Sequence, residues 1–121
     1  MPAYAIAFNR PETECRIPSA ARPIDFDHLA RQTMGQKDLE AEVLKLFLRQ
    51  ARDCMRSIGA SHGAVRGGIA HTLKGSARGI GAFTVADRAA ELEEQPDEEA
   101  RVAALSDAVV AVENFMLRLA R

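Results

Sequence analysis

Residues 38–58 read DLEAEVLKLFLRQARDCMRSI. Leu39, Val43, Leu44, Phe47, Leu48, Ala51, Met55 and Ile58 recur there at threes and fours, the spacing of a helix with one apolar face. A helix of that length needs partners to cover its stripe, and the rest of the chain supplies them. GASHG (59–63) breaks the pattern, and a second long helix is expected over roughly 64–79, ending near Gly79 and Gly81. Thr84-x-x-Asp87 resembles a capping box with Asp in place of Glu, opening a helix to about Glu94. Gln95-Pro96-Asp97 reads as a turn. The last helix runs from about Glu98 to the end, with Val102, Leu105, Val109, Val112, Phe115, Met116 and Leu119 facing inward. Its acidic start at Asp97, Glu98 and Glu99 and its Arg118 and Arg121 end suit the helix dipole. Ahead of the long helix, Asp25 can cap a short one carrying Phe26, Leu29 and Ala30, which ends at Gly35. Residues 1–23 hold four of the five prolines and read as an irregular arm. The expectation is all-α: an up-and-down antiparallel four-helix bundle over 24–121, with a short extra N-terminal helix.

Composition agrees and narrows the function. The 121 residues fit one domain; 47% are hydrophobic, only 5% aromatic, and none is Trp. Sixteen basic against 17 acidic side chains leave a formal charge of −1, which argues against nucleic acid or an anionic membrane as partner. The two cysteines, Cys15 and Cys54, lack the second pair a zinc framework needs, and they fit a reducing compartment. MPAYAIAF has no positive n-region, and no window is long and apolar enough to span a bilayer. A cytoplasmic monomer is expected. His28 and His62 have no carboxylate or Cys partner at ligand spacing, so no metal site is expected.

The unusual helix is the 64–80 stretch, which contains AHTLKGSARGIGA at 70–82. At about 100° per residue, Val65, Ile69, Leu73, Ser76 and Ile80 fall within roughly an 80° arc taken as the core face, with Thr72 beside it. His71 lies opposite and points at solvent. On its side sit Lys74, Arg78, Gly67 and, slightly rotated, Gly75. Gly67, Gly68 and Gly75 within one helix cost about 3 kcal/mol together relative to Ala. Gly75, mid-helix and near His71, removes bulk where a ring substituent or another protein has to approach. Gly67 and Arg78 are further candidates for a partner-binding surface.

His71-Thr72-Leu73-Lys74-Gly75-Ser76, followed by Ile80-Gly81-Ala82, resembles the phosphoacceptor signature of histidine-containing phosphotransfer (HPt) domains, H-x-x-K-G with a downstream Gly-Ala pair. Asp25–Leu29, Leu46-Phe47 in the long helix and Leu92-Glu93 sit where that family places similar residues, so the resemblance covers roughly 24–121. It implies that His71 accepts a phosphoryl group, usually at Nε2, and exchanges it with the aspartate of a response-regulator receiver domain, upstream of which stands a histidine or hybrid kinase. It implies that Gly75 gives the clearance. Neutral imidazole is a competent nucleophile near pH 7. Lys74, one turn on, offers a positive charge to the phosphoryl oxygens.

The chain shows no P-loop, no kinase-like nucleotide loop and no carboxylate cluster suited to Mg²⁺ beside His71. Phosphoryl transfer needs charge neutralisation and in-line positioning, so Mg²⁺ and an acidic pocket are expected from the partner. The chain reads as a phosphocarrier with no cofactor of its own and no intrinsic kinase activity. One alternative is a non-phosphorylated adaptor or inhibitor that binds receiver or kinase domains, but that role would not need the imidazole. Another is an enzyme with His71 as general base, which an exposed histidine without an orienting carboxylate argues against. The expected docking surface is the exposed side of the 64–79 helix with the 38–58 helix beside it. The chain ends in a helix with no linker beyond Arg121, which favours a stand-alone carrier.

Overall fold

A computed structural model describes residues 23–119. Five helices follow in order: α1 (Phe26–Thr33), α2 (Lys37–Gly59), α3 (Gly63–Ile80), α4 (Phe83–Glu94) and α5 (Glu99–Leu119). Each of α2 to α5 packs on the next and α5 closes onto α2, while α1 lies against α2 and α3. Connections of a few residues force sequential helices to run antiparallel. The result is the expected up-and-down bundle with a short helix in front. Among the described residues no helix is long and apolar enough to cross a membrane. The arm read over residues 1–23, with Cys15, falls almost wholly outside the described residues.

The local signals act where the sequence places them, with one exception. The Asp25 carboxylate accepts the His28 backbone N–H at 3.1 Å and caps α1. Gly81 ends α3 in the left-handed region (φ 88°). A Cβ on Gly81 would lie 2.8 Å from the Asp25 carbonyl oxygen, and the Asp25 N–H donates to the Gly81 carbonyl at 2.9 Å. The small Gly81-Ala82 pair therefore lets the chain entering α1 cross the end of α3 at backbone contact. The exception is the capping box. Helix α4 starts at Phe83 with Ala82 as its N-cap, so Thr84 is a helical residue and not the cap.

The core is built from Phe47, Leu44, Leu48 and Ile58 of α2, Leu73 of α3, Val85 and Leu92 of α4, and Leu105, Val109 and Val112 of α5. Leu39 and Leu119, expected inside, lie at the ends of their helices and are exposed. Helix α3 is rotated from the expected arc by nearly a quarter turn. Its buried residues are Arg66, Gly67, Ala70, Leu73 and Ala77, whereas Val65 is 65% exposed and Ile69, Ser76 and Ile80 are half-buried. The reason is that α3 and α4 meet through small residues. Ala70 and Ala77 are fully buried, as are Ala86 and Ala89, and this is the most extensive helix pair in the molecule. Alanines allow a close interhelical approach that larger side chains would hold apart. A sequence wheel weights large apolar residues and so points the helix the wrong way.

The arginine buried in α3 completes that rotation. The Arg66 side chain is 3% exposed and spends its donors on three partners: Nε on the Ile58 carbonyl at 2.9 Å, and Nη1 on the Pro96 carbonyl and the Glu99 carboxylate, both at 3.0 Å. A buried guanidinium is tolerated only when it is bonded in this way. It ties the end of α2 and the α4–α5 turn to the first turn of α3.

Candidate functional site

His71 sits in the middle of α3, four residues beyond Gly67 and ten before the Gly81 cap. Its side chain is 65% exposed, as the sequence implied. The ring is nevertheless held. Nδ1 lies 2.9 Å from Oε2 of Glu93, on the last turn of α4. The other oxygen, Oε1, accepts a hydrogen bond from Lys74 Nζ at 2.7 Å. One carboxylate thus bridges the two residues of α3 that the motif separates by three positions, which corrects the expectation that His71 has no orienting carboxylate.

The bridge follows from the rotation of α3. Lys74 lies on the flank turned toward α4, half-buried with its side chain only 18% exposed, and not free on the outer face. His71 lies one step further round, at the edge of the same flank. The close α3–α4 approach brings Glu93 within reach of both. The Lys74 hydrogen bond, first among the causes, holds the Glu93 carboxyl below its ordinary range; desolvation, next in size, opposes it, and the His71 contact adds a weaker lowering. The carboxylate is therefore ionised at neutral pH. An ionised carboxylate accepts and cannot donate, so Nδ1 carries the proton, and in the neutral ring this selects the tautomer whose Nε2 lone pair is free.

The remaining residues divide. Gly75 is exposed, and a Cβ there would meet no heavy atom within 4 Å; nothing among the described residues requires glycine at that position. Arg78 is exposed on the same side of α3. Gly67 is not on the outer surface at all. It is buried, and a Cβ built there would lie 3.3 Å from Pro96 Cγ and 3.8 Å from the Glu93 carbonyl oxygen. Gly67 therefore offers no surface to a partner, and the expectation that it does is corrected by its packing against the α4–α5 turn. Among the described residues no group of three His, Cys, Asp or Glu side chains could hold a metal ion.

The Hpt domain family model matches residues 42–119. The chain belongs to that family. This Hpt domain is accordingly a helical bundle for histidine phosphotransfer in two-component signalling, a phosphocarrier and not a kinase, of a kind that works with receiver domains and kinases. Neither a curated protein nor a solved structure matches the chain. Within the Hpt domain, Glu93 is the residue whose role sequence reading did not assign. Its position beside Leu92 was visible, but nothing in a wheel of either helix shows that 22 residues of separation close to one hydrogen bond.

Proposed function

We propose that His71 of this Hpt domain is the phosphoacceptor and that it exchanges the group with the aspartate of a response-regulator receiver domain. The observation that carries the reading is the carboxylate on Nδ1 of an otherwise exposed ring. Nδ1–H donated to Glu93 leaves the Nε2 lone pair facing a partner. In the transfer step Nε2 attacks the phosphorus of the aspartyl phosphate. The Nε2–P bond forms as the P–O bond to the aspartate breaks, and the aspartate leaves as its carboxylate. The Nδ1 proton stays on the ring, which becomes cationic as the bond forms. Glu93 stands where that positive charge develops, as an orienting carboxylate does beside a catalytic histidine. The reverse transfer regenerates the neutral imidazole.

Lys74 acts through both of its neighbours. It holds Glu93 in place, and an ammonium has three donors, so two remain for phosphoryl oxygens that arrive beside His71. The Mg²⁺ and the acidic pocket belong to the receiver, and this chain contributes no cofactor. Gly75 leaves the outer face of α3 open beside the ring. With it, the groove between α2 and α3, lined by Leu46, Arg49, Gln50, Ile69 and Thr72, forms the surface a receiver meets. A carrier that must release donor and acceptor in turn works with a modest interface of this kind, as a cytoplasmic monomer.

The test is transfer from a panel of phosphorylated receiver domains to the wild type and to His71→Gln. Acid-labile, base-stable label on the wild type alone is the expected result. Receiver binding without any label would overturn the carrier reading in favour of an adaptor.

A further inference from the structure

The first two turns of α3 make three successive contacts with one short turn. The Gly63 N–H donates to the Asp97 carboxylate at 2.9 Å. Arg66 Nη1 donates to the Pro96 carbonyl at 3.0 Å. Gly67, one turn before His71, faces the Pro96 ring, and its missing Cβ would be 3.3 Å from Cγ. Pro96 and Asp97 follow Glu93 by three and four residues, so this clamp fixes the end of α4 from which Glu93 projects. Gly67 is its tightest point. It also faces the Glu93 carbonyl oxygen directly, at a would-be Cβ distance of 3.8 Å.

Taking His71 as the phosphoacceptor, on which this inference rests, we propose that Gly67 is a positioning residue. Its lack of a side chain sets the α3–α4 spacing at which the Glu93 carboxylate spans His71 Nδ1 and Lys74 Nζ. The span is demanding, with two hydrogen bonds of 2.9 and 2.7 Å made by one carboxylate to two residues of the neighbouring helix. A methyl group at Gly67 must push the Pro96 ring away by a few tenths of an ångström, because real Cβ contacts are seldom so close. That displacement is delivered to the last turn of α4. Hydrogen bonds of this kind weaken over such distances, and the ring tautomer they select weakens with them. Gly67 thus acts through Glu93 on the nucleophile, without touching the ring or a partner.

The experiment compares Gly67→Ala with wild type by the ¹⁵N shifts of the His71 ring, which report the tautomer, and by the rate at which the chain takes a phosphoryl group from potassium phosphoramidate. In that reaction Nε2 attacks phosphorus, the P–N bond of the donor breaks and ammonia leaves. Alanine favours the helix, so the variant keeps its fold, and circular dichroism verifies it. The expected result is a mixed His71 tautomer and a rate lower by about tenfold. Gly68→Ala, the same change at the next residue where a Cβ meets nothing within 4 Å, keeps the wild-type tautomer. Removing the obstructing ring in Gly67→Ala/Pro96→Ala restores the tautomer to that of Pro96→Ala alone. A wild-type tautomer in Gly67→Ala, or a slower rate with the tautomer unchanged, or no restoration in the double variant, each overturns the assignment. A wild type that takes no label counts against His71 as the acceptor and not against the placement of Gly67, which the ring shifts test by themselves.

Discussion

Gly67 and Gly75 stand on the same helix, two turns apart, and a helix propensity scale treats them alike. One is buried where a methyl group would press on Pro96 and the other faces open space. The flank of α3 that carries Gly67 is the closed one: Gly63, Arg66 and Lys74 all bond across it to Asp97, Pro96, Glu99 and Glu93. Among the described residues, the flank that carries Gly75 makes no such bond to α4 or the α4–α5 turn; its tertiary hydrogen bond is at the far end of the helix, where the His28 ring of α1 meets the Gly79 carbonyl at 3.1 Å. His71 lies at the boundary, with one nitrogen bonded into the closed side and the other facing the open side. A glycine can thus be kept for what it lets the chain approach or for what it leaves room for, and only its surroundings separate the two.

Substitutions at the boundary test this division most strongly. Glu93→Gln removes the negative charge from Nδ1 and from Lys74 together while preserving the shape of the side chain. Phosphoryl acceptance should fall by about tenfold to a hundredfold, the scale on which a misplaced reacting group acts. An unchanged single-turnover rate would mean that the closed side does not tune the nucleophile. Lys74→Ala removes one of the two contacts that hold Glu93 and a donor to the phosphoryl oxygens, while the Glu93–His71 contact can still form. Acceptance should therefore slow without being lost, by about twofold to fivefold, in line with a partly exposed ion pair.

The Glu93 carboxyl offers a pH test of the same bridge. Its native value is depressed, chiefly by the Lys74 hydrogen bond. The stability this confers is fully present above the unfolded glutamate value of about 4.3 and is lost as pH falls through the lower native value. Urea unfolding midpoints of wild type and Glu93→Gln should therefore differ at pH 7 and converge in acid. In Lys74→Ala, the Glu93 titration followed by NMR should move upward. The smallest effect is expected on the open side. Gly75→Ala should raise stability by about 1 kcal/mol and slow transfer from a receiver domain, with a smaller effect on labelling by phosphoramidate. Equal slowing with both donors would remove the distinction between clearance for a partner and clearance for the group itself.

Most of the architecture is legible in the sequence. The apolar period of α2 and α5, the Asp25 cap and the Gly81 stop each act locally, so their residues alone specify them. The orientation of α3 was not legible. Its apolar pattern favours Val65 and Ile69, but the molecule buries Arg66, Ala70 and Ala77 in their place. A buried arginine can be anticipated only when its acceptors are known, and those come from Ile58, Pro96 and Glu99 on other elements. Thr84-x-x-Asp87 fails for a related reason: the close crossing of Asp25 over Gly81 fixes where α3 ends, and α4 starts immediately afterwards at Phe83.

The sequence by itself determined the helical class, the number and order of the helices, and a histidine, lysine and glycine at the spacing of a phosphoacceptor motif. These are matters of periodicity and local geometry, which a chain carries along its own length. Only the tertiary structure decided which flank of α3 faces α4, that Lys74 is held and not free, that Gly67 is a packing glycine, and that Glu93 belongs to the site. The physical reason is that an interhelical carboxylate bridge depends on distances set by alanines and a glycine at the interface. Small residues leave almost no hydrophobic signal in a sequence, yet they decide how closely two helices meet.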